Sequence, residues 1–236
     1  FDVKLHQLLS RHSTALKLLP PKLQSRAETN EKGKVKLTPA IEKAMIGEFL
    51  PGLEIFRASR KLGALLLQLS PAFSPRKHAL SELDVLLGAI GDYATAIEFR
   101  NRNWVEGDQL NATLEYLAAR HATLVCVDAP AQNHFSIIPP TLNAITNPGL
   151  SYLRLHGRDA HAYLTGKTVA ARFNYDYCDE EIDEVAARCR RLAGETSSLH
   201  VVFNNNALDY APHAASRLRV ALGQVIAQIP RQPELF

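Results

Sequence analysis

Six short apolar runs recur along the chain, and each ends in polar residues: FDVKLH (1–6), LGALLLQL (62–69), TAIEFR (95–100), TLVCVD (123–128), LSYLRLHG (150–157) and LHVVFNNN (199–206). Runs of this length, rich in Leu, Val and Ile, are the pattern of buried strands. Between them the apolar spacing changes to that of helices. Thr38-Pro39 sets a cap residue before a proline suited to the first turn of PAIEKAMIGEF. Asp108 precedes QLNATLEYLAAR, in which Leu110, Leu114, Leu117 and Ala118 share one face. Asp179 precedes EEIDEVAARCRRLAG, with acids early, arginines late and Gly194 expected just past the end. A last amphipathic stretch runs from Ala214 to Ala227.

Strand and helix alternate without hairpin turn signals, which predicts a parallel sheet. An open dinucleotide-binding sheet would need a glycine-rich turn after its first strand, and the sequence has none there. A closed barrel instead expects reactive residues at the carboxyl ends of many strands. The fold predicted is therefore α/β, a TIM-barrel-like (β/α) barrel with six of the usual eight units. Residues 1–230 read as a single domain and 231–236 as a tail. Segment 20–36 reads as an exposed loop or lid edge, and the four-proline segment 129–149 as an irregular loop.

The polar strand ends carry the candidate chemistry. Side chains alternate faces along a strand, so Lys4 pairs with His6, Glu98 with Arg100, and Arg154 with His156. Gln68, Asp128 and Asn204 stand at the ends of their strands, with Arg158 and Asn205 just beyond two of them. Burying unpaired charges beneath helices would cost several kcal/mol each, so these groups are expected at the mouth of the barrel. There Lys4, Arg100, Arg154 and Arg158 outnumber Glu98 and Asp128, a balance suited to an anion gripped by arginines. Glu98 or Asp128 would serve as base, and His156 or His6 as proton shuttle. Glu98, Asp128 and the two histidines would allow a divalent metal, but interleaved arginines oppose one, so the metal is the less favoured alternative, no metal ligand is predicted and no cofactor is indicated. Trp104 is expected to pack, while Phe173, Tyr175 and Tyr177 either line the mouth or form a flap. His12, His121, His134 and His161 read as surface residues.

Bulk composition narrows the class only a little. The 236 residues are 46% hydrophobic and 22% charged, with a formal net charge of +3. That is ordinary for a globular protein and too weak globally to point to nucleic acid. No run approaches the length of a membrane span. Cys126, Cys178 and Cys189 form no paired motif, so neither zinc nor a disulfide framework is expected. With no leader pattern at the start, a cytoplasmic location is the expectation.

Several stretches taken together resemble the YecE-like family, domain of unknown function number 72. They are LLLQLSPAF (65–73), AIEFRNRNW (96–104), YLRLHGR (152–158), FNYDY (173–177) and VFNNN (202–206), spread in order over nearly the whole chain. The resemblance implies a (β/α)8 barrel and marks Lys4, Gln68, Glu98, Arg100, Asp128, Arg154, His156, Gly157, Arg158, Asn204 and Asn205. It also implies that the family's first two βα units have no counterpart here. Asn101 and Asn103 stand where the family pattern has His and Ser, and Ser70 where it has Pro. RQPELF (231–236) resembles a peptide that docks into bacterial sliding clamps. The function expected is an enzyme, of hydrolase or of lyase or isomerase type, acting on a phosphate- or carboxylate-bearing substrate at the mouth. The alternative is a nucleic-acid or nucleotide binding module without catalysis.

Overall fold

A computed structural model describes residues 1–225. The end of the helix expected to reach Ala227, and the RQPELF tail, lie outside the described residues.

All six predicted strands form: β1 (Val3–Lys4), β2 (Leu65–Gln68), β3 (Thr95–Glu98), β4 (Thr123–Asp128), β5 (Ser151–Leu155) and β6 (Leu199–Phe203). They lie in one parallel sheet in the order of the chain. The result is an α/β fold whose six parallel strands form a curled half-barrel, compatible with an incomplete TIM-like barrel. Strands β3, β4 and β5 are buried along their whole length, whereas β6 is half-buried throughout and β1 is open to solvent at Lys4. The sheet curls far enough for its two edges to touch at the amino-terminal end of the strands. There the Asp2 carboxylate accepts from Tyr152 OH at 2.9 Å and meets His200 Nδ1 at 3.0 Å.

Among the described residues eight α-helices accompany the strands: α1 (Pro21–Gln24), α2 (Pro39–Ala58), α3 (Asp84–Ala89), α4 (Gln109–Ala118), α5 (Ala160–Thr165), α6 (Val169–Arg172), α7 (Asp179–Gly194) and α8 (Tyr210–Ala221). Thr38 caps α2 as predicted, its Oγ1 accepting from Ile41 N–H at 3.3 Å. That helix nevertheless runs nine residues past the predicted Phe49, through Pro51. Burial of Leu53 against the sheet outweighs the proline's missing donor. In α7 the cap is Cys178 rather than Asp179. Its backbone N–H is held by Glu181 at 3.0 Å, and Gly194 closes the helix from inside. Helix α8 starts four residues before the predicted Ala214. One apolar cluster joins β1 to β4 with α2 and α4; a second packs Leu153, Leu155 and Cys126 against Val185, Cys189 and Leu218.

The register fixes which side chains share a face. Lys4 is level with Leu66, Gln68 with Glu98, Val125 with Tyr152, Val127 with Arg154, and Tyr152 with His200. These positions line the concave face. Leu67, Ile97, Leu124 and Cys126 have the other parity and lie under the helices.

Candidate functional site

At the carboxyl end of the concave face, seven of the eleven candidate residues converge around one carboxylate. Glu98 is fully buried and Arg154 and His156 nearly so. Glu98 receives Arg154 Nη1 on Oε2, while His156 Nε2 at 3.1 Å, Gln68 Nε2 at 3.1 Å and Arg100 Nη1 at 3.4 Å meet Oε1. Gln68 Oε1 in turn accepts from Lys4 Nζ at 2.6 Å, at the rim. Arg100 passes its other terminal nitrogen to Tyr163 OH at 2.8 Å.

Four of these residues form a closed ring of hydrogen bonds. Arg154 Nη2 donates to Asn204 Oδ1 at 2.5 Å, and Asn204 Nδ2 lies 3.1 Å from His156 Nδ1. A guanidinium only donates and a carboxylate only accepts. Asn204 must therefore turn its oxygen to Arg154 and its amide nitrogen to His156. His156 Nδ1 is then an acceptor and Nε2–H the donor to Glu98, so the imidazole is neutral. Burial favours the same state, pushing the His156 pKa below its ordinary value against the pull of Glu98. For Glu98, burial alone would favour protonation, but Arg154 first, then His156 and Arg100, hold it well below the usual carboxylate range. Lys4 is depressed by partial burial and by Arg154 and Arg100, with Glu98 opposing.

Asp128 and Arg158 do not join this cluster. Asp128 is level with Leu155 and so faces the helices, not the mouth. It takes Arg158 Nη2 at 2.9 Å and Tyr177 OH at 2.8 Å, and Arg158 also reaches Glu184 at 2.7 Å. Tyr177 OH accepts from Gly157 N–H at 2.9 Å. Gly157 has φ +86°, and a Cβ there would lie 2.5 Å from that of Tyr175, so the turn after β5 needs glycine. His6 is also separate, with Nε2 3.1 Å from Leu18 O and Nδ1 accepting from Leu8 N–H, tying down its own loop. Asn205 is buried beside the site and donates to Tyr175 O at 2.8 Å.

Among the aromatics, Phe173 packs against the His156 ring, with centroids 5.5 Å apart. Trp104 is buried against Phe73 and Phe99 with its N–H on Phe73 O, the expected packing role. His12 is not the surface residue predicted. It is half-buried, and its Nε2 lies 3.2 Å from Gln68 O, beside the cluster. Tyr163, on α5, was not anticipated either; the only hint in the sequence was an aromatic five residues after YLRLHGR. Among the described residues no group of three His, Cys, Asp or Glu is placed to hold a metal ion, and no helix is long and apolar enough to cross a membrane.

Comparison with known proteins matches this architecture to a set of relatives. UPF0759 protein YunF of Bacillus subtilis (strain 168) is 27% identical over 197 residues, which span 81% of this chain and 69% of YunF. A crystal structure of a DUF72 family protein from Enterococcus faecalis V583 superimposes with a TM-score of 0.79 at 25% identity, covering 99% of this chain and 78% of that one. A DUF72 family protein from Thermotoga maritima MSB8 shares the fold at a TM-score of 0.65 and 23% identity, over 77% of this chain and 66% of the other. The family model described as "Protein of unknown function DUF72" matches residues 1–235, and the chain belongs to that family.

Proposed function

We propose that the concave cluster is the substrate site of an enzyme acting on a small phosphate- or carboxylate-bearing molecule. The supporting observation is the charge balance: Lys4, Arg100 and Arg154 surround a single carboxylate, Glu98. Converging cations on a concave face favour an anion there and raise its local concentration.

The roles divide by access. Glu98 and His156 have their acceptor and donor sites occupied by the ring, so in this reading they are positioning residues, not the base and shuttle. Glu98 is the internal counter-ion that fixes the directions of Arg154 and Arg100. Arg100 and Lys4, at the rim, grip the substrate anion. Lys4 is also the group left to exchange a proton, because partial burial, and after it the neighbouring guanidiniums, make its ammonium more acidic than usual.

Calorimetric titration with inorganic phosphate tests the reading. Lys4→Gln and Arg100→Gln should each weaken binding by about ten- to a hundredfold, the loss of one charge-assisted hydrogen bond of roughly 1.5–3 kcal/mol. Unchanged affinity in both variants would overturn the proposal. A steep salt slope with single-stranded or duplex DNA, steeper than with phosphate, would move the same contacts to the nucleic-acid alternative.

A further inference from the structure

On the helix side of the sheet, beneath the irregular 129–149 segment, a cavity of about 650 Å³ lies between the end of β4 and helix α7. Three arginines line it, Arg158, Arg188 and Arg191, with the carboxylates of Asp128 and Glu184. Both carboxylates are taken by Arg158, at 2.9 and 2.7 Å. The other two arginines have no ion pair among the described residues.

Arg188 is the telling member. Its three hydrogen bonds all go to neutral oxygens: Asn143 Oδ1 at 2.7 Å, Val127 O at 2.8 Å and Leu142 O at 3.1 Å. A guanidinium has five N–H groups, so two remain, one on each terminal nitrogen. Buried charges are normally paired, and burial here weakens even this arginine's hold on its proton. Arg191 follows three residues later on the same helix, so the two cations are neighbours and repel each other. An anion between them would remove both costs.

We propose that this cavity is a second anion site, separate from the concave cluster, and that it takes the phosphate group of a small organic phosphate monoester. Two adjacent guanidiniums suit a dianion with three terminal oxygens better than a carboxylate, which one arginine satisfies by itself. The Thr141 hydroxyl on the facing wall adds a donor. The cavity is much larger than a phosphate, and Pro140 and Val185 give the remainder an apolar wall for the organic part. The site needs no contribution from the concave cluster and does not rest on the function proposed for it.

The test uses the full chain with both rim residues of the concave cluster replaced (Lys4→Gln with Arg100→Gln), titrated with inorganic phosphate and with glycerol phosphate. Binding should persist in that background, with glycerol phosphate tighter than phosphate. Adding Arg191→Gln, an exposed change, should weaken it about tenfold, and Arg188→Gln should weaken it further. If Arg188→Gln fails to fold, judged by the emission of the single Trp104, the Arg191 variant decides alone. Absence of phosphate binding in the rim-replaced protein, or affinity unmoved by Arg191→Gln, overturns the proposal. Loss of affinity on Arg191→Gln supports it even if the rim replacements change nothing.

Discussion

Replacing Glu98 by Gln keeps the shape of the side chain and removes the one negative charge of the concave cluster. Glu98 is fully buried, and its partner Arg154 has a side chain only 6% exposed. The amide would retain one acceptor but turn two N–H groups toward donors. Wherever it points, it faces Arg154 Nη1 on one side or His156 Nε2 and Gln68 Nε2 on the other. Removing one partner of a buried ion pair costs about 3–5 kcal/mol, chiefly because the remaining charge is left unpaired. Urea unfolding at neutral pH, followed by the emission of Trp104, should show this loss directly. With a slope of about 1–3 kcal/mol per molar urea, the midpoint falls by about 1 M or more at unchanged slope. Adding Arg154→Met should recover part of the loss, since the uncompensated cation is then gone. A Glu98→Gln protein less than about 1 kcal/mol below the parent would refute the picture of a single counter-ion holding the cluster. So would a double variant no better than the sum of its parts.

Acidification is expected to destabilise the protein in two windows. His156 is folded with its pKa depressed below 6.5 and Glu98 with its pKa well below 4.5, so the unfolded chain binds more protons than the folded one in acid. Urea midpoints should therefore fall as pH drops below about 6.5 and fall faster below about 4.5, with the second decline shallower in Glu98→Gln; a flat profile from pH 7 to 4 would count against the assignment. Tyr177→Phe leaves the Gly157 N–H without its buried acceptor and Asp128 short of a donor, which should cost about 1–3 kcal/mol by the same unfolding measurement; no measurable cost would mean the turn is held elsewhere. Gly157→Ala meets both a left-handed backbone and Tyr175, and should lower the melting temperature well beyond the effect of Gly194→Ala, where a Cβ has open space; equal effects would contradict the turn geometry.

The strands were legible because the sheet is parallel and its middle strands are buried on both faces, which writes β2, β3 and β4 as largely apolar runs, while the half-buried β6 still shows its β-branched and aromatic residues. Helix ends were less so. Pro51 is a strong stop signal locally, and only the tertiary burial of Leu53 shows why it is overridden. Within the candidate site, parity along one strand correctly grouped Arg154 with His156 and Glu98 with Arg100. It could not say that Asp128 has the parity of Leu155 rather than Arg154, because that depends on the register between strands. Arg158 then follows Asp128 to the helix side. His12 and Tyr163 come from loop and helix segments whose approach to the mouth is set by the curl of the sheet, for which single-strand patterns carry no signal.

The contacts of Asp2 with Tyr152 and His200 bridge 150 and 198 positions of the chain, against 48 to 58 for the bonds among Glu98, Arg154, His156 and Asn204. Loop closure over such spans is costly in entropy, and contacts of long range are slow to form. The latch at Asp2 should then be the last clasp to engage during folding and the first to open in partial unfolding. An isotope-exchange experiment would see the outer strands release their amides well before the middle of the sheet does.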